Sequence, residues 1–142
     1  MLGVIFSIIA GAAMSFQGVI NTRLGEKAGV FEANAFVQGT AFILSVIVML
    51  LFGQGDVKSI FSADKIYLTG GILGIIITVT VMLGIKNLSP TIAISVILIA
   101  QLLVAAGIDA FGILESAKVP FGLTKYIGIA LMIAGVIVFK IK

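Results

Sequence analysis

The sequence is dominated by an apolar stretch from Pro90 to Leu114, which reads PTIAISVILIAQLLVAAGIDAFGIL. As a helix rising about 1.5 Å per residue, this stretch would cross the roughly 30 Å hydrocarbon core of a bilayer. Two strongly polar side chains interrupt it, Gln101 near its midpoint and Asp109 nearer its end. An ionisable side chain inside a membrane span is costly, and it marks a functional site by default. We therefore predict that Asp109 and Gln101 contact a substrate or a coupling ion. The alternative is that Asp109 lies close enough to the helix end to reach interfacial water or a basic loop.

Composition places the whole chain in the membrane. Of its 142 residues, 61% are hydrophobic and 11% are charged, and the mean hydropathy is +1.30. Globular proteins average about 45–50% apolar residues, so a water-soluble core with a polar coat is excluded. The apolar runs are continuous rather than alternating, which predicts an all-α integral membrane protein and not a barrel. Cysteine and histidine are absent, so disulfides, thiolate chemistry and the usual metal ligands are excluded, and we expect no cofactor.

Hydropathy divides the chain into five predicted membrane spans, at residues 2–22, 33–53, 66–85, 90–114 and 121–139. The first connection is predicted as a loop at residues 23–32. The connections are too short for a soluble domain, which predicts one five-helix domain over residues 1–142. The first span has no basic residue before it and is long enough to remain as a helix, so we expect no cleaved signal. Ser89 is predicted to cap the fourth helix, with Pro90 in its first turn.

Four amide side chains are expected at a similar depth in the membrane. Gln17 and Asn21 lie four residues apart near the end of the first span, and Asn34 and Gln38 have the same spacing at the start of the second. Residues four apart share a helix face, and the two helices run in opposite directions. Two interpretations stay open. The amides either form hydrogen bonds between helices, at about 0.6 kcal/mol each, or they contact a solute, with Gln17, Asn21 and Gln38 as candidates.

Small residues recur at spacings that allow helices to approach closely, which is the main packing mode in lipid. In the first span they recur every fourth residue, and in the third Thr78 continues the spacing of two glycines. The predicted helix-packing residues are Gly3, Ser7, Gly11, Ser15, Gly39, Gly70, Gly74, Gly112, Ala130 and Ala134.

Positive charge is almost equally divided between the two sides of the predicted bundle. The side of the N-terminus has four basic residues and the other side has five, namely Lys58, Lys65, Lys118 and Lys125 against Arg23, Lys27, Lys86, Lys140 and Lys142. Lysine and arginine in short loops set orientation, so this chain carries little instruction about which way to insert. We predict that it inserts both ways and pairs as an antiparallel homodimer. The alternative is a single orientation for which the charge count is ambiguous, and a homologous five-span partner could also fix the orientation.

Inversion has a consequence for the polar residues. The fourth span carries Asp109 toward the N-terminal side, whereas the four amides lie toward the other side. In an antiparallel pair, Asp109 of one subunit would occupy the same membrane half as the amides of its partner. This would make two half-sites related by a twofold axis in the membrane plane, as in inverted-repeat transporters.

Three segments also carry a family resemblance. They are AMSFQGVINTRLG at residues 13–25, QGTAF at 38–42 and AQLLVAAGIDAFG at 100–112. Together and in this order they resemble the YdcZ-type family of the drug/metabolite transporter (DMT) superfamily, at Gln17, Asn21, Gly39, Gln101, Asp109 and Gly112. The resemblance implies a small transporter that works as a pair of five-span halves, equivalent to a ten-span member. Unlike small multidrug-resistance relatives, this first span has no embedded glutamate, so coupling through such a residue is not expected.

The leading hypothesis is a secondary transporter or exporter of a small solute, with a cation as one candidate, working by alternating access as a dual-topology dimer in a bacterial inner membrane. Asp109 would be the proton or cation site, and the amides would supply neutral hydrogen bonds. Its partners would be a second copy or homologue, the bilayer and the solute, with no nucleic acid. A non-transporting scaffold or helper subunit is the alternative. An intramembrane enzyme is the weakest hypothesis, because no nucleophile is paired with a base.

Overall fold

The computed structural model describes residues 1–116, 118, 119 and 122–141, apart from the side chain of Glu115. Five α-helices follow one another in the described chain: α1 (Leu2–Ala28), α2 (Val30–Phe52), α3 (Gly70–Asn87), α4 (Pro90–Phe111) and α5 (Leu123–Lys140). Short 3₁₀ turns at Val57–Ser62, Lys65–Thr69 and Ile113–Glu115 lie in the connections. All five α-helices, α3 together with the turn before it, are long and apolar enough to cross a membrane. The all-helical fold with five membrane-spanning segments is thus confirmed.

The chain divides into two compact units, Met1–Asn87 and Leu88–Lys142. In the first, α1, α2 and α3 pack against one another, and in the second α4 packs against α5. The expected single domain therefore stays a prediction. Most side chains along the helices are exposed, as expected for surfaces that face lipid or another chain in a membrane.

The core of the first unit lies where the second half of α1 meets its two neighbours. Gly18, Asn21, Thr22 and Gly25 of α1 are buried there. A Cβ atom at Gly18 would lie 2.9 Å from Cδ1 of Ile85 and 3.1 Å from Cγ1 of Val81 on α3. The absence of a side chain at Gly18 therefore allows α1 and α3 to approach closely.

The first connection is much shorter than the predicted loop at residues 23–32. Helix α1 continues to Ala28, and Gly29 alone separates it from α2. Gly29 has a φ of 101°, a backbone conformation that glycine adopts without steric cost. The charged residues that suggested a loop are compatible with a helix, since Arg23 forms a 3.0 Å ion pair with Glu26 one turn later.

Helix α4 begins as predicted and ends early. The Ser89 side chain accepts a 3.3 Å hydrogen bond from the backbone N–H of Ile92, and Pro90 occupies the first turn. The predicted span continued to residue 114, but α4 ends at Phe111, where Gly112 takes a left-handed conformation with a φ of 65°. The predicted start of the fifth span at Phe121 lies outside the described residues, as does Lys142.

Candidate functional site

A cavity of about 460 Å³ lies between α4 and α5. Among the described residues, two charged side chains line it, Asp109 from α4 and Lys125 from α5. The other described lining residues are apolar and comprise Leu102, Ala105, Ala106, Gly128, Ile129 and Met132. Sites for small molecules typically measure about 300–1,000 Å³ and combine apolar walls with a few polar groups. By size and lining, this cavity is the best candidate for a solute site in the described chain.

Asp109 lies in the last turn of α4, because that helix ends two residues later at Phe111. Its side chain is half-buried, and no hydrogen bond or ion pair of its carboxylate is seen within the described part of the chain. The connection after α4 folds back on this turn, since the N–H of Val119 donates a 2.9 Å hydrogen bond to the carbonyl of Asp109. Asp109 is therefore close to the helix end, as the alternative interpretation of the sequence required, but it also lines a cavity.

Lys125 lies inside the predicted fifth span and was counted only among the basic residues that set orientation; in the structure it is the third residue of α5. Its side chain is half-buried and makes a further contact of its own. The signal in the sequence was its position: the end of α4 and the start of α5 are joined by a short connection, so Asp109 and Lys125 belong to the same end of an antiparallel pair. Among the described residues, the cavity lining thus contains one acidic and one basic group.

The other candidate on α4 is not part of this cavity. Gln101 is exposed and is not among the side chains that line it. A second space of about 280 Å³ between the same two helices has only apolar side chains in its lining, including Ile99, Leu103 and Ile133. A contact of Gln101 with a solute stays a prediction.

In the first unit, Thr78 connects two helices. The Gln38 side-chain amide on α2 donates a 3.3 Å hydrogen bond to Oγ1 of Thr78 on α3. The Thr78 hydroxyl in turn donates to the carbonyl of Gly74, at 2.9 Å. The sequence had suggested only a small-residue role for Thr78, because its partner on α2 could not be identified from spacing within α3.

Gln17 and Asn21 line a narrow cleft between α1 and α3, together with Thr78. The cleft has a volume of about 40 Å³, which is enough for a water molecule but far below the usual size of a solute site. The structure therefore brings Gln17, Asn21 and Gln38 close to one threonine. It places them in a different unit from Asp109.

Asn34 is 7% exposed, and its Oδ1 has no hydrogen-bond partner within the described part of the chain. An unpartnered buried polar atom costs about 1–3 kcal/mol. Of the four amides that the sequence suggested, Asn34 is the one with a buried polar atom that has no partner among the described residues.

The predicted packing residues fall into three groups. Gly74 lies beside the Gln38 side chain, at 3.6 Å from where its Cβ would be, and Gly112 is the C-cap of α4. Gly3, Gly11, Gly39 and Gly70 have open space at the Cβ position, and the hydroxyls of Ser7 and Ser15 donate to carbonyls of their own helix. Ala130 and Ala134 are exposed. Packing of these exposed residues against another chain stays a prediction.

A family model described as "Putative inner membrane exporter, YdcZ" matches residues 2–138. Neither the curated proteins nor the solved structures that were compared contain a match to this chain. The match covers the first four helices and all but the last two residues of α5, and it includes Asp109 and Lys125. With the five apolar helices it identifies a multi-pass inner-membrane protein with a transporter-like role, and the chain belongs to the YdcZ family of the DMT superfamily.

Proposed function

We propose that this chain is one half of a small-solute exporter, which works by alternating access as an antiparallel homodimer. The observation that carries the proposal is the cavity of about 460 Å³ between two apolar helices, α4 and α5, which Asp109 lines from the last turn of α4. A charged group is costly in such a position unless it serves a ligand, a proton or another charge.

In this proposal Asp109 binds the solute or the coupling ion, and transport exchanges one for the other. A cationic solute or a proton is the simplest ligand of a carboxylate alone. Inversion of one subunit would bring the amides of the partner into the membrane half of Asp109, where Gln17 and Gln38 could complete the site. The near-equal division of positive residues, four against five, supports insertion in both orientations.

Enzymatic activity is not proposed. The family model is described as an inner membrane exporter, and the described residues of the cavity lining include no hydroxyl or thiol nucleophile beside the acid and base. Among the described residues no three acidic side chains lie close enough to share a metal ion.

The orientation can be tested because the chain contains no cysteine. A single cysteine placed after Lys142 is labelled in cells with an impermeant thiol reagent, before and after permeabilisation. We expect about half of the molecules to be labelled from outside. A Lys58→Gln, Lys65→Gln control lowers the basic count of one side from four to two, so the tag should become almost wholly cytoplasmic.

Labelling of nearly all or nearly none of the unaltered chain would contradict the inverted homodimer. The transport part is tested separately in proteoliposomes, by counterflow of labelled metabolites and organic cations. Failure of counterflow, together with stoichiometric co-purification of another membrane protein, would instead favour the scaffold role.

A further inference from the structure

The cavity between α4 and α5 has two chemically different ends. Asp109 and Lys125 lie at the end where α4 stops and α5 starts. Leu102 and Met132 also line the cavity. Leu102 lies seven residues before Asp109 in α4, and Met132 lies seven residues after Lys125 in α5, which corresponds to about 10 Å along each helix. The cavity therefore suits a molecule that carries its polar groups at one end and an apolar group at the other.

The charges at the polar end come from opposite walls. A bare cation would be attracted by Asp109 and repelled by Lys125, and for a bare anion the preference is reversed. A molecule that carries both charges would meet an opposite charge on each helix. Lys125 already makes a contact, but an ammonium group has three N–H donors and can bind a second acceptor.

The helix ends favour the same arrangement. Asp109 lies at the C-terminal end of α4, which carries a partial negative charge, and Lys125 lies at the N-terminal end of α5, which carries a partial positive charge. Each side chain is thus at the helix end that disfavours its own charge. A ligand ammonium beside Asp109 and a ligand carboxylate beside Lys125 would each be favoured by both the side chain and the helix end.

We propose that the exported solute is a small zwitterion with an apolar tail, which binds with its ammonium group toward Asp109 and its carboxylate toward Lys125. This rests on the proposed function and replaces the cationic solute with a more specific class. The absence of a hydrogen bond or ion pair at the Asp109 carboxylate, within the described residues, is consistent with a group that awaits a ligand.

The test uses three probes with the same apolar tail: leucine as the zwitterion, leucinamide as the cation and N-acetylleucine as the anion. A second set built on phenylalanine extends the range of tail size. Binding of the labelled probes and the thermal unfolding midpoint are measured with the full-length dimer in phosphatidylglycerol nanodiscs. We expect a zwitterion to bind at least tenfold more tightly than its amide or its N-acetyl form, and to raise the midpoint.

Two variants should change the preference in opposite directions. Asp109→Asn removes the group that attracts the ammonium, so the N-acetyl anion should bind at least as well as the zwitterion. Lys125→Gln removes the group that attracts the carboxylate, so the cationic amide should bind at least as well as the zwitterion. Lys140→Gln, at the other end of α5, is the matched control and should leave the order unchanged. A general loss of stability could not produce these opposite shifts.

The proposal is overturned if only the amides bind, if all three forms bind equally, or if neither zwitterion binds. It is also overturned if replacing phosphatidylglycerol by phosphatidylethanolamine abolishes leucine and phenylalanine binding, because the cavity would then take a lipid headgroup. Suppose that only the amides bind, while about half of the molecules are labelled from outside and counterflow is active. This result would refute the zwitterionic solute alone and would leave the proposed exporter function standing.

Discussion

The two units of the chain use polar side chains in different ways. In Met1–Asn87 the polar groups between helices are neutral, and Gln38 and Thr78 satisfy one another. In Leu88–Lys142 the polar groups that face the cavity between the helices are charged, and Asp109 and Lys125 line a cavity large enough for a solute. Neutral amides and hydroxyls can be satisfied by their neighbours within lipid, whereas opposed charges around a cavity attract a ligand. The first unit therefore resembles a packed support and the second a binding site.

The largest expected effect is the loss of transport in an Asp109→Asn variant. We expect the transport rate at low solute concentration to fall roughly 10- to 100-fold, because a hydrogen bond to a charged group contributes about 1.5–3 kcal/mol. The unfolding midpoint, and the association of subunits in the proposed homodimer, should be little changed. Counterflow in proteoliposomes measures the rate, and Asp64→Asn, at an exposed acidic residue in a connection, is the control. If Asp109→Asn and Asp64→Asn transport at comparable rates, the second unit is not distinguished from the first as the binding site.

The next effect concerns packing of the first unit. Gly18→Leu should lower the free energy of unfolding by about 1–3 kcal/mol, because the added side chain would overlap Ile85 and Val81. Gly11→Leu is the matched control, since nothing lies within 4 Å of its Cβ position. Unfolding in a detergent that keeps the chain monomeric measures both. Equal destabilisation would show that close approach at Gly18 is not what holds α1 against α3.

A smaller effect is expected at the hydrogen bond between α2 and α3. Thr78→Val keeps the shape of the side chain but removes the acceptor for Gln38, and should cost about 0.6 kcal/mol, the average for such bonds in membranes. Thr80→Val is the control, because the Thr80 hydroxyl donates only to carbonyls of its own helix. A double-mutant cycle with Gln38→Leu isolates the pair. A coupling energy of zero would contradict the bond, and a large loss of transport would extend the binding site into the first unit.

The smallest effect is expected at Asn34. Asn34→Leu replaces an amide whose buried Oδ1 has no partner within the described residues by an apolar side chain of similar size. Its stability should be unchanged or higher by up to about 1 kcal/mol, since an unsatisfied polar group is removed. The change is measured by unfolding the chain in detergent and the proposed dimer in nanodiscs. A clear destabilisation in the dimer alone would show that the partner subunit satisfies this amide.

The helices themselves could be predicted from the sequence because their signals are local. A continuous apolar run predicts each span, and Ser89 followed by Pro90 marks the start of α4. The predicted ends of α1 and α4 were wrong for the same reason, because hydropathy alone was used to define them. Charged residues continue α1 to Ala28 in helical form, and an apolar sequence continues past the point where Gly112 ends α4.

The candidate site could be predicted only in part. Asp109 is recognisable because a carboxylate in an apolar run is costly wherever the chain folds. Lys125 is not recognisable in the same way, because a basic residue near a span end is the ordinary signal for orientation. Its role depends on the α4–α5 pairing, as the role of Thr78 depends on the position of Gln38. Contacts between helices are not contained in the spacing within one helix.

The length of α1 makes the protein sensitive to bilayer thickness. Its 27 residues correspond to about 40 Å, whereas the hydrocarbon core measures about 30 Å. The apolar part before Arg23 matches the core in length, so the turns that carry the Arg23–Glu26 pair would extend into the headgroup layer, with Gly29 after them at the start of the return helix. Thicker lipid would draw these charges toward the acyl chains, and thinner lipid would tilt the helix. In an inverted pair both leaflets would contain such an extension, so thickness would act on the two sides of the membrane alike.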